Sequence, residues 1–301
     1  MEGVIREIKS EIRVIERSKA LYDDTGFVGR AEAIDHLESS IIEPVERLLL
    51  SRRQVEELQS LLKRAEKVKS QLEEIDRNLF LKLRASIRSG DFTGAELERH
   101  IGGYVGGTST ERLQNDRGYD SLDEFVSGML LVEDAPGETK EREPEMVFYQ
   151  PTPARIVLEL VGKANFKDED VFYDLGSGLG QVAILVNLLG GVRAKGVEFE
   201  PAFCEYARRC AEGLNLSRVE FLNVDAREAD YSDGTVFFMY TPFEGTILQE
   251  VLEKLKAESE KREIRVGTFG PCTQQVSRQR WVEPLDQNGD SVDMLAMFRN
   301  A

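Results

Sequence analysis

Val171-Phe-Tyr-Asp-Leu-Gly-Ser-Gly-Leu-Gly-Gln181 is the stretch from which the fold can be read. An apolar run ends in an acid, glycines follow at alternate positions 176, 178 and 180, and an amphipathic helix comes next. That order is a strand, a tight ligand-binding turn and a helix. Glycines admit backbone conformations that side chains forbid and let a ligand approach the chain closely. The helix that follows presents unpaired N–H groups at its start. Gln181 stands where a dinucleotide fingerprint has its third small residue, so the spacing disfavours NAD. Asp174, two residues before the first glycine, would repel a pyrophosphate and attract a cation. The expected cofactor is therefore positively charged.

Outward from this loop, β-rich apolar runs alternate with helical ones: Val171–Asp174, Lys195–Glu198, Val219–Leu222, Thr235–Tyr240, Ile264–Phe269 and Val292–Phe298. The rhythm predicts an α/β domain, a parallel sheet flanked by helices, with ligands at the carboxyl ends of its strands. The second run ends at Glu198, 24 positions past Asp174, where a carboxylate could accept from both hydroxyls of a ribose. Glu200, followed by Pro201, suits the cap of the next helix. The third run leads into Asn223-Val-Asp225-Ala226, and the fourth into Tyr240-Thr241-Pro242-Phe243-Glu244.

These motifs resemble the class I, seven-β-strand, S-adenosylmethionine-dependent methyltransferases over residues 145 to 301. The lead-in Phe148-Tyr149-Gln150-Pro151-Thr152-Pro153, the loop DLGSG and the strand end Gly196-Val197-Glu198 are similar to protein-lysine methyltransferases that lack a SET domain, the disruptor-of-telomeric-silencing type among them. The resemblance implies a Rossmann-like sheet and S-adenosyl-L-methionine as cofactor. It implies that the cofactor is held by Tyr149, Thr152, Asp174, Gly176, Ser177, Gly178, Gly180, Gln181, Glu198, Asp225, Ala226 and Tyr240. In it Asp225 accepts from the exocyclic amine of adenine, Ala226 leaves room, and Tyr149 to Thr152 fold over the methionine end. Thr152-Pro153 also has the form of a helix cap followed by proline at the first helical position. Tyr240, Pro242 and Phe243 fall on the superfamily's acceptor loop. Tyr240 and Thr241 depart from its usual Asn/Asp-Pro start, so the amide that would accept from a planar nucleobase amine is missing. Tyr240 can still orient a neutral amine and Phe243 can face a developing cation.

The expected reaction is in-line methyl transfer to an acceptor nitrogen, with a protein lysine favoured. A methyltransferase for a small molecule or RNA is the alternative, as is a non-catalytic cofactor-binding scaffold. The formal net charge is −16 and the isoelectric point about 4.8. It divides as −9 over residues 1–145 and −7 over the remainder, so neither half offers the basic field that nucleic acid requires. An acidic surface suits a basic protein substrate and also simple solubility.

Ile5, Ile8, Ile12 and Ile15 form one apolar helical stripe, and a second runs from Ala31 to Arg88, with Ser39, Ser40 and Pro44 marking a break. The heptads drift, which favours an intramolecular bundle and leaves a dimer through these helices open. Thr93-Gly-Ala-Glu96 and Ser121-Leu-Asp-Glu124 read as capping boxes. A charged stretch with Pro136, Gly137 and Pro144 follows. The domain plan is thus an all-α region at 1–135, a linker at 136–147 and the cofactor-binding domain at 148–301, with the first region meeting the last near Tyr149 to Thr152. Three cysteines, Cys204, Cys210 and Cys272, make no disulfide framework, and two isolated histidines predict no metal site. With no apolar run of membrane length and a charged N-terminus, a cytoplasmic protein without a membrane partner is expected.

Overall fold

The isoleucine stripe needs an apolar partner, and the chain supplies one. In the computed structural model, which describes residues 2–51, 55–106, 118–130 and 135–301, helix α1 spans Glu2–Arg17. Its Ile5, Ile8, Ile12 and Ile15 are buried in a core with Leu37, Ile41, Val45, Leu58, Ala65, Val68 and Leu72. The stripe is consumed within the single chain, as an intramolecular bundle requires. Gly107 of the glycine-rich stretch, and Glu133 and Asp134 before the expected linker, lie outside the described residues.

Helix α2 (Phe27–His36) continues through a π-helical turn, Leu37–Ile42, into α3 (Glu43–Ser51). The break expected at Ser39, Ser40 and Pro44 is thus a widening of the helix. Pro44 has no N–H to give the carbonyl four residues back, and the π register absorbs that mismatch. Helix α4 is a single run, Val55–Ser89. Arg30 is fully buried, pairs with Asp76 at 2.7 Å and donates to the carbonyls of Leu21, Asp23 and Asp24. A buried guanidinium is tolerated when every donor finds an acceptor, and here it ties the turn after α1 to α4.

By contact density the chain falls into two compact units, Met1–Leu83 with His100–Gly107, and Arg84–Arg99 with Thr108–Ala301. Helix α5 is Gly94–Val105 and α6 is Ser121–Leu130. The box expected at Ser121–Glu124 forms one residue earlier. Asp120 accepts from the N–H of Leu122, and Asp123 returns a bond to the N–H of Asp120, each at 2.8 Å. A carboxylate at the cap accepts a charge-assisted bond, which Ser121 could not match.

The second unit holds a seven-stranded sheet in the order β3-β2-β1-β4-β5-β7-β6. Its strands are β1 (Val171–Leu175), β2 (Arg193–Glu198), β3 (Val219–Asn223), β4 (Val236–Met239), β5 (Arg265–Thr268), β6 (Val282–Pro284) and β7 (Ala296–Asn300). Between and around them run α7 (Ala154–Ala164), α8 (Gln181–Gly190), α9 (Pro201–Gly213), α10 (Gly245–Ser259) and α11 (Cys272–Ser277). This is the Rossmann-like sheet flanked by helices. Strands β1 to β5 are parallel, as the alternating pattern requires, but β7 runs antiparallel to both β5 and β6. The last strand begins at Ala296 and not at Val292, and β6 was invisible to periodicity because three residues ending in proline show no alternation. All five β1 residues are buried, which is why the run reads as continuously apolar up to Asp174. Among the described residues no helix is long and apolar enough to cross a membrane, and no cluster of three or more His, Cys, Asp or Glu side chains could hold a metal ion.

Candidate active site

Strand order reverses between β1 and β4, so the loops leaving these neighbours diverge and open a crevice at their carboxyl ends. A cavity of about 310 Å³ lies there. It is lined by Tyr149, Thr152, Asp174, Gly176, Ser177, Gln181, Glu198, Asp225, Ala226, Tyr240, Pro242 and Phe243. Every residue expected at the site lies on this cavity except Gly178 and Gly180, which stand behind it in the turn.

The turn itself explains two of its glycines. Gly176 has φ +78°, and a Cβ there would fall 2.2 Å from the Pro242 Cβ; Gly178 has φ +51°, and a Cβ would fall 2.2 Å from the Tyr149 ring. The space freed by the missing side chains is therefore filled by the lead-in and by the acceptor loop, which fastens both to the same turn. Gly180 precedes α8. The N–H groups of Gly176 and Ser177 both donate to the carbonyl of Val197, at 2.9 and 3.0 Å, and lock the turn to β2.

Glu198 completes that lock. One carboxylate oxygen accepts from the N–H of Gly178 at 2.7 Å and the other from the N–H of Glu200 at 2.8 Å. Each oxygen keeps a further lone pair for a hydroxyl. Glu200 caps α9 through the N–H of Ala202, as its place before proline suggested, and also accepts from the N–H groups of Thr139 and Lys140. Asp225 is held by Arg227, whose guanidinium reaches both of its oxygens and also Glu143, and this pairing keeps the Asp225 carboxyl below its ordinary value. Thr152 is not a helix cap: the N–H of Ala154 at the start of α7 goes to Asp123 at 2.7 Å, leaving Thr152 on the cavity wall.

Asp174 is the electrostatic centre. It is buried, its Oδ2 has no hydrogen-bond partner, and Ser177 Oγ is also buried without one. Burial first, and then the nearby charge of Glu198, push the Asp174 carboxyl up to about 8. Burial raises Glu198 as well, against the pull of its backbone donors. Two acids and an orphaned hydroxyl facing a cavity lack a cation and a donor, which a ligand carrying an ammonium, a sulfonium and ribose hydroxyls supplies. The residues present fit S-adenosylmethionine on those grounds.

A prediction arises directly. With a carboxyl at about 8, Asp174 is roughly nine-tenths protonated at pH 7, and a cation beside it favours the ionised form. Binding of S-adenosylmethionine at pH 7 is expected to release close to one proton, and fewer as the pH rises past 8. Calorimetry in two buffers of different ionisation enthalpy reads this directly. Proton uptake at pH 7 would count against the assignment.

The acceptor loop is set by an unusual backbone. Thr241 has φ +41°, a conformation costly for a β-branched residue. Its hydroxyl donates to the carbonyl of Phe269 at 3.2 Å and accepts from the N–H of Cys272 at 3.1 Å, which holds the residue in place. Tyr240 packs on Phe269 with ring centroids 4.8 Å apart. Phe243 is buried and forms a single antiparallel bridge with Met146.

Sequence reasoning missed the rim. Residues 138–148, expected largely as a linker, run along the cavity mouth, with Glu138, Arg142, Met146, Val147 and Phe148 in its lining. The N–H of Val147 donates to the carbonyl of Pro242, and the Glu145 carboxylate accepts from the N–H of Ile247 in the first turn of α10. The apolar triplet Met146-Val-Phe148, closing a charged run, was the available signal that this segment belongs to the cavity wall, although Phe148 itself is exposed.

Residues 146–262 match the family described as Histone methylation protein DOT1. A protein-lysine N-methyltransferase of Saccharolobus islandicus (strain REY15A) is 31% identical over 122 residues, which cover 40% of this chain and 71% of that protein. Among solved structures, an RNA methyltransferase from Salinibacter ruber in complex with S-adenosyl-L-homocysteine is 27% identical with a TM-score of 0.39, over 50% of this chain and 92% of its own. A mutant of MtNAS in complex with S-adenosylmethionine aligns over 99% of this chain and 97% of its own, at 15% identity and a TM-score of 0.38.

Proposed function

Because the chain belongs to the DOT1-type class I methyltransferases, enzymes that use S-adenosylmethionine, we propose that it transfers a methyl group to the side-chain nitrogen of lysine in a protein substrate. One observation carries the reading: a cavity rich in acidic side chains, Glu138, Asp174, Glu198, Glu200, Asp225 and Glu244 against Arg142 in its lining, ends at an aromatic acceptor loop. Such a lining favours cationic ligands and draws a lysine towards the mouth.

When bound, S-adenosylmethionine supplies a methyl group already activated by a positively charged sulfur, so the chain's task is to bind, align and keep water out. In this reading Asp174, Ser177 and Gln181 face the amino-acid end, with Tyr149 and Thr152 covering it. Glu198 takes the ribose hydroxyls, and Asp225 with Ala226 borders the adenine, where Asp225 has to share its oxygens with Arg227. The glycines at 176, 178 and 180 keep the turn close. An ammonium has no lone pair, so lysine must arrive neutral, and the buried ring of Phe243 beside the half-buried ring of Tyr240 lowers its affinity for a proton. Tyr240 accepts an amine N–H while Pro242 fixes the direction of the loop.

The all-α region 1–135, its role in selecting the substrate, and a cytoplasmic location belong to the same proposal. The test is transfer of labelled methyl from S-adenosylmethionine to lysine-rich proteins and to RNA, followed by amino-acid analysis. Methyl-lysine is expected, with the Tyr240→Phe, Phe243→Ala double variant slower by about 100-fold. Label confined to RNA, or a double variant at the parental rate, would overturn the reading.

A further inference from the structure

Asp225 meets the cavity from a tight turn after β3. The N–H of Arg227 donates to Asp225 Oδ1 at 2.8 Å, and the N–H groups of Glu228 and Ala229 donate to the Asp225 carbonyl at 2.8 and 3.0 Å. From α10 the Lys254 ammonium donates to the carbonyl of Arg227 at 2.8 Å. The turn fixes where Asp225 stands, but a carboxylate that accepts from the turn on one oxygen alone can still pivot. The Arg227 side chain removes the pivot: its Nε donates to Oδ1 at 3.0 Å and its Nη2 to Oδ2 at 2.7 Å. Two parallel bonds from a planar guanidinium set the plane of the carboxylate as well as its place. Nη2 carries two hydrogens, and Glu143 Oε1, 2.6 Å away, takes the other. Among the described residues Oδ1 thus accepts two bonds and is full, whereas Oδ2 accepts one. Asp225 lines the cavity with its side chain 12% exposed, and one lone pair is what it has left for a ligand.

We propose that Arg227, steadied by Glu143, is a positioning residue that holds Asp225 as a single fixed acceptor for the edge of the cofactor's base, so that the site takes a base presenting an N–H there and rejects one presenting a carbonyl. The inference rests on the reading that Asp225 borders the adenine, and deepens it. The exocyclic amine of adenine gives one N–H to Oδ2. Hypoxanthine, of the same shape, would set an oxygen there, and lone pair against lone pair is costly where water is scarce. A carboxylate free to rotate could turn away from that oxygen, and the fork from Arg227 denies it the escape. Glu143 lies outside the family match, which begins at residue 146, so the rim segment completes the base site by holding the group that holds Asp225.

The test is calorimetric titration of S-adenosylhomocysteine and of its deaminated analogue S-inosylhomocysteine into the parent, Arg227→Ala, Arg227→Lys and Asp225→Asn. The parent is expected to prefer the adenine ligand by about 30-fold or more. Arg227→Ala should reduce that preference at least about fivefold, chiefly by weakening S-adenosylhomocysteine, and Arg227→Lys should do nearly the same, since an ammonium keeps the charge and loses the fork. Asp225→Asn, whose amide can accept or donate, should bring the two ligands within about threefold of each other, and adding Arg227→Ala to it should leave that ratio unchanged. An Arg227→Ala variant that weakens both ligands equally would overturn the proposal, because a merely structural arginine does not distinguish the bases. A lysine variant with the parental ratio would overturn it too, by showing that charge suffices; should the alanine variant fail to fold, the lysine variant decides. A parent that binds both ligands alike, or an Asp225→Asn variant with the parental ratio, removes the adenine reading of Asp225 and the proposal with it.

Discussion

Asp174→Asn is expected to raise the melting temperature of the cofactor-free protein while weakening S-adenosylmethionine binding by at least about 100-fold, or about 2.7 kcal/mol. Both effects come from one buried carboxyl with no counter-charge. Its value in the folded protein, about 8, is well above the ordinary 3.8. For an acid shifted in that direction, the stabilising contribution of the protonated form is full below the unfolded value and is lost as pH rises through the folded one. The parent protein therefore loses stability between about pH 4 and pH 8 on this account, and asparagine, which never ionises, does not. At pH 8 a gain of a few kcal/mol corresponds to a rise of roughly 5 to 10 °C, and at pH 4 the two proteins should melt alike. The same substitution removes the charge that a bound cation needs. Thermal melts across this pH range and calorimetric titration provide the check; a variant that melts lower at pH 8, or binds as the parent does, would show that Asp174 is not the cation's partner.

Replacing Glu198 by glutamine should damage cofactor binding almost as much as replacing it by alanine, each by about 100-fold or more. An isosteric amide is ordinarily the gentler change. Here one carboxylate oxygen accepts from the N–H of Gly178 and the other from that of Glu200. Glutamine has only one oxygen, so either flip sets its NH2 against a backbone donor, and the buried N–H loses its partner. Alanine orphans both donors but leaves room for water to replace the lost acceptor. In alanine, and in glutamine with its NH2 turned to Gly178, the turn keeps only its bonds from Gly176 and Ser177 to Val197, and the surface on which Tyr149 packs loosens. Calorimetric titration of S-adenosylhomocysteine into the three proteins separates the cases. Glutamine binding within about threefold of the parent would mean that negative charge, and not the pair of accepted bonds, is what Glu198 contributes.

The glycine loop and the acids at strand ends were legible because each follows from a local rule: strand, forbidden side chain, helix start. The acids at Asp174 and Glu198 fell 24 residues apart because one helix and one strand separate adjacent strand ends. Contacts that depend on segments distant in sequence were not legible. No local pattern says that Asp123 caps a helix beginning at Ala154, or that Glu145 caps one beginning at Gly245, since each acid is as ordinary in its own neighbourhood as any other. Charge and proline made residues 138–147 look like a tether, yet their polar groups are spent on Glu200, Arg227 and Pro242. The antiparallel edge escaped for a related reason: β6 is too short to carry a period, and its pairing is decided by β7.

The conformation of Thr241 sets a rule for anyone who wishes to redirect this protein to new acceptors by directed evolution. Its φ of +41° is kept by two bonds from one hydroxyl, so the neighbouring Tyr240 and Phe243 point where they do only while that oxygen is present. A library randomised evenly over residues 240–243 would spend most of its diversity on variants whose loop has simply relaxed. Holding Thr241 constant and varying its two aromatic neighbours confines the search to sequences that keep the scaffold of the loop and change only its chemistry.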